Sequence, residues 1–88
     1  MLVKLTEFFK PPGERAQMAD IFISPKTVLS IRPETSPYLN EAYSLGIPKS
    51  TDFSRITINE AGYSRNVIVV GSPDEVRQKL SSRQLLKG

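Results

Sequence analysis

The side chains that most often carry catalysis are scarce in this sequence. It contains no histidine and no cysteine, which excludes thiolate chemistry, disulfides, and the commonest general base and transition-metal ligand. Its ten serines have no histidine to activate them, and its nine carboxylates are scattered along the chain. A zinc site would need carboxylates alone, which zinc sites in proteins rarely use. We therefore predict a protein that is not an enzyme and that holds no metal and no cofactor.

One stretch, VVGSPDE at residues 69–75, is similar to the strand–glycine–helix turn that binds phosphate. It has a single glycine and no Walker lysine, and two acids stand where an anion would bind. Those acids are instead typical of a helix start, because Ser72 is a good N-cap and Glu75 follows three residues later. The stretch predicts a capping box, and no small-molecule substrate is evident.

Positive charge is concentrated at the C-terminal end. The net charge is +3, yet residues 1–60 contain seven basic and seven acidic residues, whereas residues 61–88 contain five and two. The cations that follow the last acid are Arg77, Lys79, Arg83 and Lys87. They could contact nucleic-acid phosphates. Cations are also favoured at the end of a helix, and a net charge of only +3 favours that simpler interpretation.

A nucleic-acid interface would need further charge and aromatic surface for stacking bases. The candidates are Arg32, Arg55 and Arg65 for charge and Tyr38, Phe53 and Tyr63 for stacking. Nothing in the sequence resembles a recognition helix or an RNA-binding sheet motif.

Apolar segments separated by proline and glycine predict a small antiparallel sheet of four to five strands. The predicted strands are 2–9, 20–24, 27–32, 54–58 and 65–70. The last two form a hairpin whose turn contains Gly62 in a left-handed conformation. The end of that hairpin, residues 67–70, is apolar on both faces and should be central. Within 27–32, Leu29 and Ile31 are expected on one face and Val28, Ser30 and Arg32 on the other.

A helix over 73–80 follows, with Val76 and Leu80 one turn apart and facing the sheet. The expected class is α+β, with one C-terminal helix packed on the sheet. On a continuing helix Leu85 would lie nearly opposite Val76, so the two serines at 81–82 predict that the helix stops or that a new turn begins. The basic tail, residues 81–88, then leaves Leu85 and Leu86 for a second surface, on this chain, a second copy or another protein.

The segment 33–53 interrupts the strand pattern with three prolines and one glycine. A connection of this length is usually functional or disordered. Ser36 and Pro37 favour one or two helical turns within it. Two interpretations stay open for its larger side chains, which either cover the open face of the sheet or bind a partner. These side chains are Tyr38, Leu39, Tyr43, Leu45 and Ile47.

The 88 residues predict a single domain. The longest aliphatic run, residues 67–70, is too short to cross a membrane. Glu7 comes too early for a secretory signal. We therefore expect a cytoplasmic protein with no membrane partner.

The runs DIFISPKTVLSIRPE and SRITINEAGYSRNVIVVGSPDEVRQKL together resemble the small FlbD-like flagellar and swarming-motility proteins. The matching pieces are Ile23–Pro25, Val28–Ile31, Thr57–Ile58, Gly62, Val69–Val70 and Ser72–Val76. The resemblance implies a β-rich domain without catalysis that ends in a helix. The segment 33–53, the RQLLKG end and the N-terminal strand depart from that pattern. In size and composition the chain is also similar to small accessory proteins of bacteriophages.

The sequence thus predicts a non-enzymatic binding module, an accessory or regulatory protein that acts through protein–protein contacts and that could self-associate. The candidate partner-binding residues are Tyr38, Leu39, Tyr43, Leu45, Leu85 and Leu86. The alternative is an RNA- or DNA-binding regulator that uses the basic C-terminal end.

Overall fold

Five antiparallel strands form one sheet, in the order β2-β1-β5-β4-β3. The structure is a computed structural model that describes residues 1–35 and 40–87, with side chains as far as Ser81. The strands are β1 (Val3–Phe9), β2 (Gln17–Ile23), β3 (Val28–Pro33), β4 (Phe53–Glu60) and β5 (Tyr63–Val70). A 3-10 turn (Pro25–Thr27) joins β2 to β3, and the helices are α1 (Asn40–Ser44) and α2 (Pro73–Lys87). The α+β class and the antiparallel sheet are confirmed.

The β4–β5 hairpin occupies the centre of the sheet. Its register runs without interruption from Phe53 opposite Val70 to Glu60 opposite Tyr63. Ala61 and Gly62 form the two-residue turn with φ angles of +51° and +86°, the positive values that match the twist of a tight hairpin. Gly62 is left-handed as predicted, and β5 is the central strand.

Two buried clusters lie on opposite faces of the sheet. The first contains Val3, Leu5, Ile23, Ile56, Ile58, Val67, Val69, Val76 and Leu80. The second contains Phe8, Ala16, Ala42, Phe53 and Ile68, with Met18, Ile47 and Val70 packed against it. The apolar residues of β5 alternate between the two clusters, so this strand is covered on both faces, as the sequence predicts.

The sheet is curled, and the first cluster marks its inner face. Its edge strands β2 and β3 are joined by residues 24–27, and three of these residues form the 3-10 turn. This connection can span no more than about 15 Å between the end of β2 and the start of β3. The edges of a flat five-stranded sheet would lie about 19 Å apart. Ile23 at the end of β2 accordingly lies in the first cluster together with Ile58 of β4. Val28 of β3 packs against the same cluster.

The predicted faces of the third strand are wrong. The register between β3 and β4 shifts between Val28 and Ser30, which is the effect of a bulge that adds one residue to a strand. The shift places both Val28 and Ile31 against the first cluster. Leu29 is 61% exposed. A bulge inverts the alternation beyond it, so side-chain parity could not predict this arrangement.

Helix α2 begins with the predicted capping box. The Ser72 backbone N–H donates to Glu75 Oε1 at 3.0 Å, and the Glu75 backbone N–H donates to Ser72 Oγ at 3.2 Å. These bonds lower the pKa of Glu75. Val76 and Leu80 are buried in the first cluster. The predicted end of the helix is wrong, because α2 continues through Ser81 and Ser82 to Lys87.

Candidate functional site

The segment 33–53 divides between covering the sheet and facing outward. Ala42 is fully buried in the second cluster, and Ile47 packs against it. Tyr43 is half-buried beside a cavity at the start of α2. Leu45 is 47% exposed. Tyr38 and Leu39 lie outside the described residues. Part of the segment therefore covers the outer face of the sheet. Among the large apolar side chains of the segment that the structure describes, that of Leu45 is exposed on the surface.

The surroundings of Leu45 are highly charged. It borders a cavity also lined by Lys10, Glu14, Arg15 and Glu41. The Lys10 ammonium and the Glu41 carboxylate are joined at 2.7 Å. A single leucine among four charged residues offers little apolar area to a partner, so this part of the predicted protein-binding site is weak.

The predicted basic site is only partly described. The side chains of Arg83, Leu85, Leu86 and Lys87 lie outside the described set. Arg77 and Lys79 are exposed on α2. Arg77 Nε lies 3.9 Å from Asp74 Oδ1. A carboxylate therefore stands beside the first of the predicted phosphate-binding cations.

Two of the other three arginines considered for nucleic acid are paired with acidic residues. Arg55 is paired with the nearly buried Glu34. Arg65 is paired with Glu60 at 3.1 Å. Arg32 lies opposite Arg55 on the outer face, on the side of the sheet that faces away from the first cluster. The structure gathers these side chains into no continuous basic patch within the part that it describes.

The stacking prediction fails for Phe53. Its side chain is 3% exposed, and its ring lies 5.7 Å from that of Phe8, with an angle of 60° between the rings. A ring buried in this way has no face free for a base. Tyr63, at the hairpin turn, is 79% exposed and remains available.

The sequence interpretation missed an apolar surface at the edge of the sheet. Leu2 and Phe22 are 56% and 59% exposed. They line a groove of about 200 Å³ between the C-terminal half of β2 and the end of the β4–β5 hairpin. The other lining residues are Ile21, Ile23, Ser24, Thr27, Ile58, Glu60 and Arg65. The alternation in DIFIS could have identified Phe22, because Ile21 and Ile23 face the core and the residue between them must face outward.

The two edge strands differ in how they are protected. β3 carries a bulge beside Leu29 in its pairing with β4 and ends at Pro33, and both features discourage pairing with another strand. β2 keeps a continuous register with β1 over all seven of its residues. It contains no proline, and Asp20 is its one charged residue. The outer edge of β2 is therefore the more open one.

A second cleft lies where β1 and β5 separate. These strands pair only at Glu7–Val69 and Phe8–Ile68, and a cavity of about 440 Å³ opens beside the pairs. Burial raises the pKa of Glu7, and the charge of Arg65 opposes that rise. The folded state therefore binds this proton more tightly than the unfolded chain does.

Replacing Glu7 with glutamine should stabilise the protein at pH 7. A raised carboxyl pKa means that the charged form costs stability, and this cost grows as the pH rises from the ordinary value of 4.5 through the folded-state pKa. The gain should therefore shrink in urea titrations performed below pH 4.5. In an Arg65→Gln background the gain at pH 7 should be larger, because the opposing attraction is gone. A Glu7→Gln variant less stable than the wild type at pH 7 would contradict this account.

The described residues contain no group of three acidic side chains placed to hold a metal ion. No helix in the described part of the chain has the length and apolar character needed to cross a membrane.

No family model, curated protein or solved structure gives a significant match to the chain. The resemblance to FlbD-like proteins stays an expectation drawn from the sequence.

Proposed function

We propose that this chain is a non-catalytic, protein-binding module, with α2 packed on the inner face of the sheet and the partner bound in the groove beside β2. The observation that carries the proposal is the exposure of Leu2 and Phe22 next to an unprotected sheet edge. Exposed apolar side chains that adjoin one another mark binding surfaces more often than single ones do. Leu29 and Leu45 are single exposed residues by comparison.

The size of the groove favours a macromolecular partner. Small-molecule sites usually enclose about 300–1,000 Å³, whereas this groove has about 200 Å³. Its floor contains Ile21, Ile23 and Ile58, and its rim carries the ion pair between Glu60 and Arg65. An apolar centre with a polar rim is the usual composition of a protein interface. The groove would then contribute to an accessory or regulatory protein, as the sequence predicts.

The test compares three aspartate substitutions at exposed leucine or phenylalanine residues. Phe22→Asp places a charge in the groove, Leu29→Asp alters the other edge strand at nearly equal exposure, and Leu45→Asp alters the 33–53 segment. A partner captured from the source cell with the wild-type chain is purified, and its affinity for each variant is measured by calorimetry. We expect Phe22→Asp to weaken binding about tenfold or more, and the two controls to bind as the wild type does.

Each alternative gives a distinct result. Equal affinity for Phe22→Asp and the wild type would overturn the proposal, and a loss confined to Leu45→Asp would transfer the function to the 33–53 segment. Capture of nucleic acid instead, with affinity that falls by about two orders of magnitude for a fourfold rise in salt, would favour the basic C-terminal end. Thermal unfolding of every variant shows whether the fold is retained.

A further inference from the structure

We infer that the partner is an extended segment that adds to the outer edge of β2 as a sixth strand, with a basic side chain opposite Asp20. This inference rests on the proposed function and specifies the chemistry of the partner. Among the described strands, β2 pairs with β1 alone. Alternate residues of an edge strand point their backbone N–H and C=O groups away from the sheet, where another strand can pair with them.

The length and shape of β2 suit a strand. Its seven residues extend for about 23 Å, and the continuous register with β1 shows no bulge that would bend the edge away. Strand addition is an established mode of peptide recognition in which main-chain bonds give affinity and alternate side chains give specificity.

Asp20 supplies the charge that selects the partner. It is exposed in the middle of β2, and its neighbour across the β1–β2 pair is the uncharged Thr6. Lys4 is the diagonal neighbour on the same face, opposite Phe22, and forms no ion pair with Asp20. Within the described residues its carboxylate makes neither an ion pair nor a hydrogen bond. An added strand would place one side chain directly opposite Asp20 on the same face, where a lysine or arginine is favoured and an acid is disfavoured.

The same residue disfavours a second copy of this chain as the occupant. Asp20 is the middle residue of Gln17–Ile23. Antiparallel pairing of two copies about that middle residue would set the two Asp20 carboxylates opposite each other, which is destabilising. A shift of two residues would set Asp20 opposite Phe22, which leaves the carboxylate without a partner. The edge is therefore better matched to a different chain that carries a cation.

The apolar face of the incoming strand follows from the same alternation. Its residues on either side of the cation would point to the inner side of the sheet, toward Ile21 and Ile23 at the groove. The sequence pattern expected in the partner is thus an extended segment with alternate apolar residues on one face and one basic residue on the other. Two positions from the basic residue, on its own face, a residue with a methyl group or a larger apolar part would contact Phe22.

Synthetic peptides test the inference directly. The probes are blocked nonapeptides of alternating threonine and valine with lysine, glutamine or glutamate at the centre. We expect the lysine peptide to bind the full chain best and the glutamate peptide to bind worst. In the Asp20→Lys variant this order should reverse, with a change of roughly fivefold in each affinity. Amide exchange by NMR should show new protection at alternate residues of β2.

Methylation of the peptide backbone separates strand addition from simple apolar contact. One lysine peptide is N-methylated at its odd amides and a second at its even amides. If the peptide pairs as a strand, one of the two should lose binding and the other should retain it, because only alternate amides face β2. Equal effects of the two methylation patterns, or no reversal with Asp20→Lys, would overturn the inference.

Two further outcomes are decisive. In the first, partner binding is lost in Phe22→Asp but the peptides protect no β2 amide from exchange. This result would leave the proposed function intact and refute strand addition. A dimer in light scattering, with β2 amides protected in the absence of peptide, would refute it too and identify a second copy as the occupant. If Phe22→Asp has no effect on partner binding, the proposed function itself fails.

Discussion

Replacing Phe53 with alanine should lower the free energy of unfolding by about 3–5 kcal/mol. Phe53 is 3% exposed at the first position of β4, and it contacts Phe8 across the central strand with 5.7 Å between ring centroids. Phe8, Ile68, Met18 and Ile47 belong to or pack against the same cluster, and core side chains of this kind relax only partly into the cavity that a missing ring leaves. Urea denaturation monitored by circular dichroism measures the loss.

Two variants control for the chemistry of this substitution. Phe53→Leu keeps most of the apolar volume and should cost clearly less than the alanine variant. Tyr63→Ala removes an aromatic ring that is 79% exposed and should change stability by no more than about 0.5 kcal/mol. A loss below about 1 kcal/mol for Phe53→Ala would show that the second cluster is not a packed core.

The same variants report on the segment 33–53. Ala42 and Ile47 are held against the outer face by the cluster that contains Phe53. If that packing fixes the segment, the milder Phe53→Leu variant should be cleaved faster than the wild type by trypsin at the exposed Lys49. Unchanged cleavage would mean that the segment is held mainly by its hydrogen bonds and ion pairs, such as the one between Lys10 and Glu41.

Local features of this fold could be predicted because they depend on neighbouring residues. The capping box needs only Ser72 and Glu75 at the right spacing, and both of its hydrogen bonds are present. The central position of β5 follows from four consecutive apolar residues, and those residues contribute to both clusters. Neither prediction required knowledge of the strand order.

Features that depend on distant residues could not be predicted in this way. The bulge in β3 is a property of its pairing with β4, and it exposed Leu29 against the expectation from alternation. Phe53 was one of three candidate stacking groups and stood just before the predicted strand 54–58, whereas the structure begins β4 at Phe53 and buries it. Strand boundaries set by tertiary contacts shift in this manner.

The candidate site also combines a feature that neighbouring residues predict with one that depends on distant residues. The alternation in β2 indicates that Phe22 faces outward, but that it lies at an open edge follows only from the strand order, in which β2 has β1 as its single neighbour. The curl of the sheet then brings Ile58 and the Glu60–Arg65 pair close to β2 and completes the groove. A binding surface assembled from an edge strand and the central hairpin leaves no contiguous motif in the sequence.

Replacing Gly71 with alanine should lower the free energy of unfolding by about 2–3 kcal/mol. Gly71 joins β5 to α2 with φ of +120°, a conformation that L residues rarely adopt. An added Cβ would also lie 3.3 Å from Val76 Cγ2, and Val76 is fully buried in the first cluster. The substitution therefore combines backbone strain with pressure on a core residue.

The surrounding hydrogen bonds prevent the junction from relaxing at low cost. The Gly71 backbone N–H donates to the carbonyl oxygen of Asp52 at 2.8 Å. Its own carbonyl oxygen accepts a bond of 2.7 Å from Ser54 Oγ, and Ser54 is fully buried. A rotation that removed the positive φ would break one or both bonds and leave a buried polar group without a partner.

Gly46→Ala is the matched control, because Gly46 has φ of +95° and no atom within 4 Å of the position that a Cβ would take. It should cost about 1–2 kcal/mol from backbone conformation alone. The excess loss at Gly71, measured in the same urea titration, then reports the contact with Val76 and the two hydrogen bonds. Equal losses at the two positions would mean that α2 moves away from the junction without disturbing Val76, and that the start of α2 is not fixed by the first cluster.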